Sequence, residues 1–307
     1  MEMNRYLAAF PGREAFYKGL SKTFIKEYTV AKKIFKEASD YMGQDLEYIS
    51  YENPETKPEL HTACLITHCY AMYNSIVKTI APPTAVAGFS QGEFTALTVA
   101  ESIKFPDVLN LVYRLEKLVY RSKEIMGGKM VRVVGLDIKE LEKCCRQVDN
   151  KRQKVSVAIY LSNNQNIISG EKTAVEEVAD LSKKRGARWT IDLESVGTFH
   201  SPLCEGILCE SDLIFDQYEF SDSILPVYSC VDGRRHVKGE ALKSNLRIQI
   251  AKAVRWNRII ENANEDKIKN IVEIGPGCTV SGNSRLADPD IQCTWINETK
   301  TIKDLLK

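Results

Sequence analysis

Among the side chains able to do covalent chemistry, Ser90 has the most suggestive surroundings. The stretch Val86-Ala87-Gly88-Phe89-Ser90-Gln91-Gly92-Glu93 fits Gly-x-Ser-x-Gly; an apolar run from Thr84 to Ala87 precedes it and helical spacing from Glu93 to Ala100 follows. Strand, sharp turn and helix in that order predict a nucleophile elbow. At such a turn the serine takes a backbone conformation that is tolerated because Gly88 and Gly92 have no Cβ to strike the neighbouring strand and helix. Its hydroxyl then stands clear at the top of a sheet, with the helix N-terminus and the Gln91 N–H aimed where an oxyanion would form. The competing reading is a chance pattern in a chain with 17 glycines.

A serine hydroxyl is a weak nucleophile and needs a base within reach, most often histidine. The four histidines are His61, His68, His200 and His236. His61 and His68 lie on a helix that reads as packed, and His236 lies in the polar stretch Gly233-Arg234-Arg235-His236. His200, between Phe199 and Ser201-Pro202, falls at a strand-to-helix junction, where site loops collect in α/β folds. It is the candidate base; the alternative is a histidine that merely caps or packs in a loop. His61, Cys64 and His68 share a helical face at i, i+3 and i+7, but no fourth ligand suggests itself, and no metal is expected.

The elements that must hold these groups alternate. A short strand from Tyr6 to Phe10 ends in Pro11-Gly12, and residues 17–42 and 59–80 carry helical spacing around a loop at Asn53-Pro54-Glu55. Pro106 to Glu124 reads as one helix, with Val108, Leu111, Val112, Leu115, Leu118 and Val119 inward and Asp107, Asn110, Arg114, Lys117 and Arg121 outward. After Gly127-Gly128 the rhythm changes to strand 129–134, helix 138–148, strands 155–160 and 166–169, helix 173–184 and strand 187–193. That β-α-β-β-α-β order is a ferredoxin-like split βαβ unit. The first rhythm resumes near Glu194, with a strand at Leu225–Ser229, a helix from Leu246 to Ala263 and a strand at Ile268–Ile274 closed by Gly275-Pro276-Gly277. The expected architecture is α/β: a large α/β-hydrolase-like domain (1–128 and 194–307) built on a parallel sheet, with a small ferredoxin-like domain (129–193) inserted.

Composition narrows the function class. With 307 residues, 44% hydrophobic and 27% charged, the chain can bury a sizeable core. A formal net charge of +1 gives no electrostatic reason to expect nucleic acid or an anionic membrane as partner. The N-terminus lacks a signal-peptide core and no apolar run approaches the roughly 20 residues of a membrane span. Nine cysteines, an odd number that includes the adjacent Cys144 and Cys145, fit reduced thiols and a cytoplasmic location.

Five ordered motifs, with a sixth in the small domain, carry a family resemblance across essentially the whole chain. Gly88-Phe89-Ser90-Gln91-Gly92-Glu93 resembles the GHSxGE of malonyl-CoA:acyl-carrier-protein transacylases and polyketide synthase acyltransferase domains, of the stand-alone, trans-acting type. Phe10-Pro11-Gly12 is similar to their opening FPGQG, and Thr198-Phe199-His200-Ser201-Pro202 to xxFHSP. Gln249 through Val254-Arg255-Trp256 is similar to RQ-x-x-x-PVRW, and Val272-Glu273-Ile274-Gly275-Pro276-Gly277 to VEVGPG. Asn166-Ile167-Ile168-Ser169-Gly170 resembles the QVVISG of the family's small domain.

The resemblance implies a dyad. Ser90 would take the acyl group from a thioester, His200 would act as base and then acid, and the backbone carbonyl of Gln249 would orient the imidazole. The N–H groups of Gln91 and Arg13 would form the oxyanion hole. It further implies CoA or carrier-protein thioesters as substrates, the phosphopantetheine thiol of an acyl carrier protein as acceptor, and no permanently bound cofactor. Lys183-Lys184-Arg185, Arg188 and Arg234-Arg235 are candidate contacts for that acidic partner.

The departures fall on the acyl pocket. The family's carboxylate-binding arginine lies twenty-five positions after the serine, and here that position is Leu115; Arg114 is about 100° round the helix. The glutamine of FPGQG is Arg13, that of TQPAL is Thr62, the asparagines of ANxNSP are Ile159 and Leu161, and Phe89 replaces the histidine before the serine. With Phe199, the residues Leu115, Thr62, Ile159 and Leu161 make up the expected acyl pocket. A carboxylate buried there without a partner costs several kcal/mol. An acyltransferase for a group other than plain malonyl is therefore expected. An acyl hydrolase of the same fold, malonyl transfer with Arg13 as a relocated cation, and a non-catalytic carrier-docking module remain as alternatives.

Overall fold

The computed structural model describes residues 5–51, 57–76, 80–149, 154–193 and 197–297. The expected loop at Asn53-Pro54-Glu55 and the expected domain junction at Glu194 lie outside the described residues.

A six-stranded sheet forms the centre: β1 (Leu7–Phe10), β2 (Ala85–Gly88), β7 (Val227–Tyr228), β8 (Arg235–His236), β9 (Asn270–Ile274) and β10 (Gln292–Ile296) in the order β10-β9-β1-β2-β7-β8. All neighbours are parallel except the terminal β7/β8 pair. β1 and β2 are wholly buried, which fits their unbroken apolar runs, since a central parallel strand is covered on both faces. The pleat divides them between two cores. Ala8, Phe10, Val86 and Val272 enter a cluster covered by helices Thr29–Met42, His61–Ile76, Gly92–Val99 and Phe105–Arg121. Leu7, Ala9, Ala85, Ala87 and Ile271 face Trp256, Ile259 and Val280 together with Ile159 and Ile167 of the small sheet and Leu161 beside it.

That second sheet is antiparallel, in the order β4-β5-β3-β6, from β3 (Lys129–Val134), β4 (Val155–Tyr160), β5 (Gln165–Gly170) and β6 (Trp189–Asp192). Taken in chain order this is the 4-1-3-2 arrangement read from the β6 edge, the ferredoxin-like split βαβ. Helices Ile138–Asp149 and Lys172–Lys184 cover one face through Leu141, Cys144, Val148, Val175 and Val178. Met130, Ile159 and Ile167 on the other face join the core on the six-stranded sheet.

Three expected helices are interrupted. Residues 17–42 form Lys22–Glu27 and Thr29–Met42, which meet at an extended Tyr28. The 106–124 helix runs from Phe105 to Arg121 and turns at Ser122 into Lys123–Gly127. The expected helix from Leu246 to Ala263 is two: Gly239–Gln249 and Trp256–Glu265. Between them Val254 is drawn into a bridge with Ile159 of β4, donating to Ala158 and accepting from Tyr160, both at 2.8 Å. A helix cannot continue through a residue whose backbone groups are committed to a strand. Two strands were not expected: β8, only two residues long, and the edge strand β10.

Candidate functional site

The elbow is set by close packing. A Cβ on Gly88 would lie 1.9 Å from the Gly92 carbonyl carbon, and one on Gly92 would lie 2.2 Å from the Phe10 oxygen. Only glycine fits at either place. Ser90 between them takes φ +53°, in the left-handed region that a non-glycine residue occupies only when its surroundings dictate it. Its side chain leaves the sheet at the C-terminal end of β2, beside the turn that follows β1, the edge where α/β sheets gather their sites.

His200 meets it there. Ser90 Oγ lies 2.6 Å from His200 Nε2, and Nδ1 faces two backbone carbonyls, Gln249 at 2.9 Å and Lys252 at 3.1 Å. Two acceptors on one side assign the proton to Nδ1 and leave the Nε2 lone pair for the serine hydroxyl. Burial pulls the imidazole's pKa below 6.5, partly offset by those carbonyls, so the neutral, base-competent form is favoured. His200 has φ +59°, and its own N–H donates to the Ile250 carbonyl at 2.7 Å. The interrupted helix thus supplies all three carbonyls: the chain that leaves Gln249 for the bridge at Val254 turns its oxygens toward the imidazole.

Gln249 is itself held. Its amide donates to Glu93 Oε2 at 2.6 Å and to the Ser90 carbonyl at 3.2 Å, and Glu93 Oε2 also accepts from the Cys230 N–H at 3.0 Å. Burial raises the pKa of Glu93 while its bonds to Cys230 and Gln249 lower it. Phe89 meets Trp256 edge-on, ring centroids 5.4 Å apart, in the space under the elbow. Among the described residues neither the Gln91 nor the Arg13 backbone N–H has an acceptor in the protein, and a Cβ on Gly12 would touch Ser90 Cβ at 3.5 Å. The loop that carries Arg13 therefore lies against the elbow, with free donors on either side of it.

The acyl side is wired differently from expectation. Arg13 is no free cation: Nη1 lies 2.7 Å from Glu116 Oε2, Nη2 donates to the Tyr120 hydroxyl, and the guanidinium covers the Phe199 ring at 5.8 Å. Glu116 Oε1 accepts from Gln91 Nε2 at 2.6 Å and from Thr62 Oγ1 at 2.8 Å. Its side chain is 3% exposed. Leu115, Glu116 and Phe199 line a chamber of about 40 Å³ behind Ser90 and His200, together with Phe94, Val119, Phe215, Leu246, Ile250 and Arg247. Arg247 is paired with Asp216, and its Nε lacks a partner. On the other side Ser90 and His200 open into a cleft of about 590 Å³ bounded by Arg13, Phe89, Met130, Arg132, Ile159 and Phe199.

Of the five expected pocket residues, Leu115, Phe199 and Ile159 line one of these spaces. Thr62 reaches the site only through Glu116 and Gln91. Leu161 is a correction: it is fully buried in the core between the two sheets, its N–H on Asn166 Oδ1 at 3.0 Å, and it faces neither space. His61 stacks on Phe16, and His68 is buried with Nδ1 2.6 Å from Ser21 Oγ. Glu93, Glu116, Cys230 and Lys252 belong to the site and were not foreseen. Glu116 could have been: it falls at i+4 from Val112 and i−3 from Val119, on the buried stripe, where an acid demands a partner.

Known proteins resemble the chain as a whole. The family model described as the acyl transferase domain matches residues 71–285. The chain is similar to the malonyl CoA-acyl carrier protein transacylase of Buchnera aphidicola subsp. Schizaphis graminum, 32% identical over 284 residues and 91% of each chain. To that of Haemophilus influenzae it is 27% identical over 304 residues and 96% of each. Among solved structures it superimposes with TM-score 0.93, at 27% identity, on a malonyl-transacylase in complex with its type II polyketide synthase acyl-carrier protein, covering 98% of this chain and 99% of that one. The Streptococcus pneumoniae malonyl-transacylase structure gives TM-score 0.93 at 26% identity over the same shares. An elbow serine facing a histidine, on a chain whose family model spans residues 71–285, has one classification: the chain belongs to the acyl transferase domain family.

Proposed function

We propose that the enzyme moves an acyl group from a CoA or carrier-protein thioester to the phosphopantetheine thiol of an acyl carrier protein, through an acyl-Ser90 intermediate. The observation that carries this is the 2.6 Å contact between Ser90 Oγ and an imidazole whose other nitrogen is tied to carbonyls. His200 takes the serine proton as Oγ attacks the thioester carbonyl; the tetrahedral oxyanion faces the N–H groups of Gln91 and Arg13. Collapse expels the donor thiolate, which takes the proton from His200. The acceptor thiol then gives its proton to His200 and attacks the acyl-serine, and Ser90 leaves with that proton. A backbone carbonyl in place of an aspartate orients the imidazole without adding a charge.

The cleft of about 590 Å³ can admit a pantetheine arm, and the named activity of the relatives on CoA and carrier-protein substrates supports those partners. The acyl group we assign is neutral and short rather than malonyl. Leu115 stands where the resemblance expects a cation, Arg13 is neutralised by Glu116, Arg247 is paired with Asp216, and the chamber is small and mostly apolar. All nine cysteines are free thiols, consistent with a cytoplasmic location.

The test is the intact mass of the protein after brief exposure to acetyl- and malonyl-CoA, followed by unloaded carrier protein. A Ser90 adduct that passes to the carrier is the expected result, and Ser90→Ala should carry none. An adduct that decays to free acid at the same rate without carrier would assign hydrolysis instead; an adduct on Ser90→Ala would displace the serine from its role.

A further inference from the structure

The departures on the acyl side of Ser90 are coupled to one another. Arg13, Thr62 and the Phe105–Arg121 helix at Leu115 are three separate places where the chain differs from the family pattern, and the first two converge on the carboxylate of Glu116, the residue after Leu115. Each Glu116 oxygen is engaged: Oε2 by the Arg13 guanidinium at 2.7 Å, Oε1 by the Gln91 amide at 2.6 Å and the Thr62 hydroxyl at 2.8 Å. A guanidinium, an amide N–H and a hydroxyl converging beside the nucleophile form a carboxylate site. Here the protein fills it from its own helix.

We propose that Glu116 is the specificity-determining residue, an internal stand-in for a substrate carboxylate that occupies the anion site and turns away malonyl-class acyl groups. This rests on the reading of Ser90 as the acyl carrier. Two effects act together. A free carboxylate entering the chamber meets the Glu116 charge in a space with little water to screen it. It also finds the Gln91 amide, which lines the chamber, and the Arg13 guanidinium, which borders the cleft on the other side of Ser90, both already taken by Glu116, so its own desolvation goes uncompensated. A neutral acyl group suffers neither effect and gains the apolar wall at Leu115, Val119 and Phe94. The site is therefore latent: the donors are in place, and loss of the internal carboxylate should expose them to an external one.

The test uses the full chain as Glu116→Gln, Glu116→Ala and Arg13→Ala/Glu116→Ala, each checked for a cooperative melt. With equal acetyl- and malonyl-CoA, the malonyl-to-acetyl adduct ratio on Ser90 should rise about tenfold or more in Glu116→Ala and less in Glu116→Gln, which keeps the shape and one acceptor. The rise should vanish when Arg13 is also removed. A readout independent of acylation is the melting temperature of Ser90→Ala and Ser90→Ala/Glu116→Ala with added malonate, which should protect only the second. A flat ratio in folded variants, or a gain that survives loss of Arg13 and so points to Arg247, overturns the proposal. If the wild-type protein forms no Ser90 adduct, it is the functional reading that fails, and the malonate shift alone decides the role of Glu116.

Discussion

Ser90 has two polar flanks, and they are built by different rules. On the His200 side, Gln249, Glu93 and the two carbonyls form a chain in which one buried carboxylate has no cation in contact among the described residues; its Oε2 accepts from a backbone and an amide donor, and its Oε1 has no hydrogen-bond partner there. On the Gln91 side, Arg13, Glu116, Thr62 and Tyr120 form a compact ion-paired knot. The first flank must satisfy the geometry of proton transfer, which is the same whatever acyl group is carried, and it keeps the serine, the histidine and the glutamine that the resemblance implies, Ser90, His200 and Gln249. The second must complement the acyl group. It can be rewired, provided that each buried charge keeps a partner, because an unpaired one costs several kcal/mol. Polar residues on the acyl side are therefore free to change as a set, and the set is visible only in three dimensions.

The largest effect that would separate the flanks comes from Glu93→Ala. It leaves the Cys230 N–H without its acceptor and the Gln249 amide with only the longer bond to the Ser90 carbonyl, in a site that is 1% exposed, at a cost of about 3 kcal/mol of stability. With the shorter of the two amide bonds lost, the Gln249 carbonyl loosens its hold on His200, and kcat should fall up to about 10²-fold with little change in KM. Denaturant melts and steady-state transfer to carrier protein measure both. If kcat is unchanged while stability falls, Glu93 is a purely structural acid and does not position His200 through Gln249.

Leu115→Arg probes the other flank more mildly. The new guanidinium would enter the chamber beside Ser90 but within reach of the Glu116 charge, which competes with any substrate carboxylate. The malonyl-to-acetyl adduct ratio should rise by about threefold, less than in Glu116→Ala. A larger rise than in Glu116→Ala would mean that the missing arginine, not the added acid, sets the acyl preference.

The same contrast explains what the sequence shows of its own fold. The elbow, the buried strands β1, β2 and β9 and the four-strand order of the small sheet follow from local spacing, because each is fixed by its own hydrophobic period and by glycines at close approaches. The break between Gln249 and Trp256 is not legible. Leu246, Ile250 and Val254 keep a helical period, and only the bridge from Val254 to β4, a contact with a residue some hundred positions earlier, stops the helix. β10 escapes because an edge strand with Gln292 and Thr294 outward lacks a continuous apolar signature. Glu116 was within reach of the sequence, as an acid on a buried stripe, but its partner Arg13 lies 103 residues away.

Two buried histidines allow the smallest and most specific test, by pH. Burial lowers His68 to a pKa of about 3 and pulls His200 below 6.5, so between each folded value and 6.5 the unfolded chain binds a proton that the folded chain does not. Stability therefore falls as pH drops through that window, by at most about 1.4 kcal/mol per pH unit for each histidine, and is insensitive to them above it. His68 sits on the His61–Ile76 helix that presents Thr62 to Glu116, whereas His200 is the proposed base. In His68→Gln the acid slope of stability should lose the share that extends toward pH 3, while the acid limb of acyl transfer, which reports His200, stays at the same midpoint below 6.5. A transfer midpoint that moves with His68→Gln would mean that the two flanks titrate together, and that the independence of proton transfer from the acyl side does not hold.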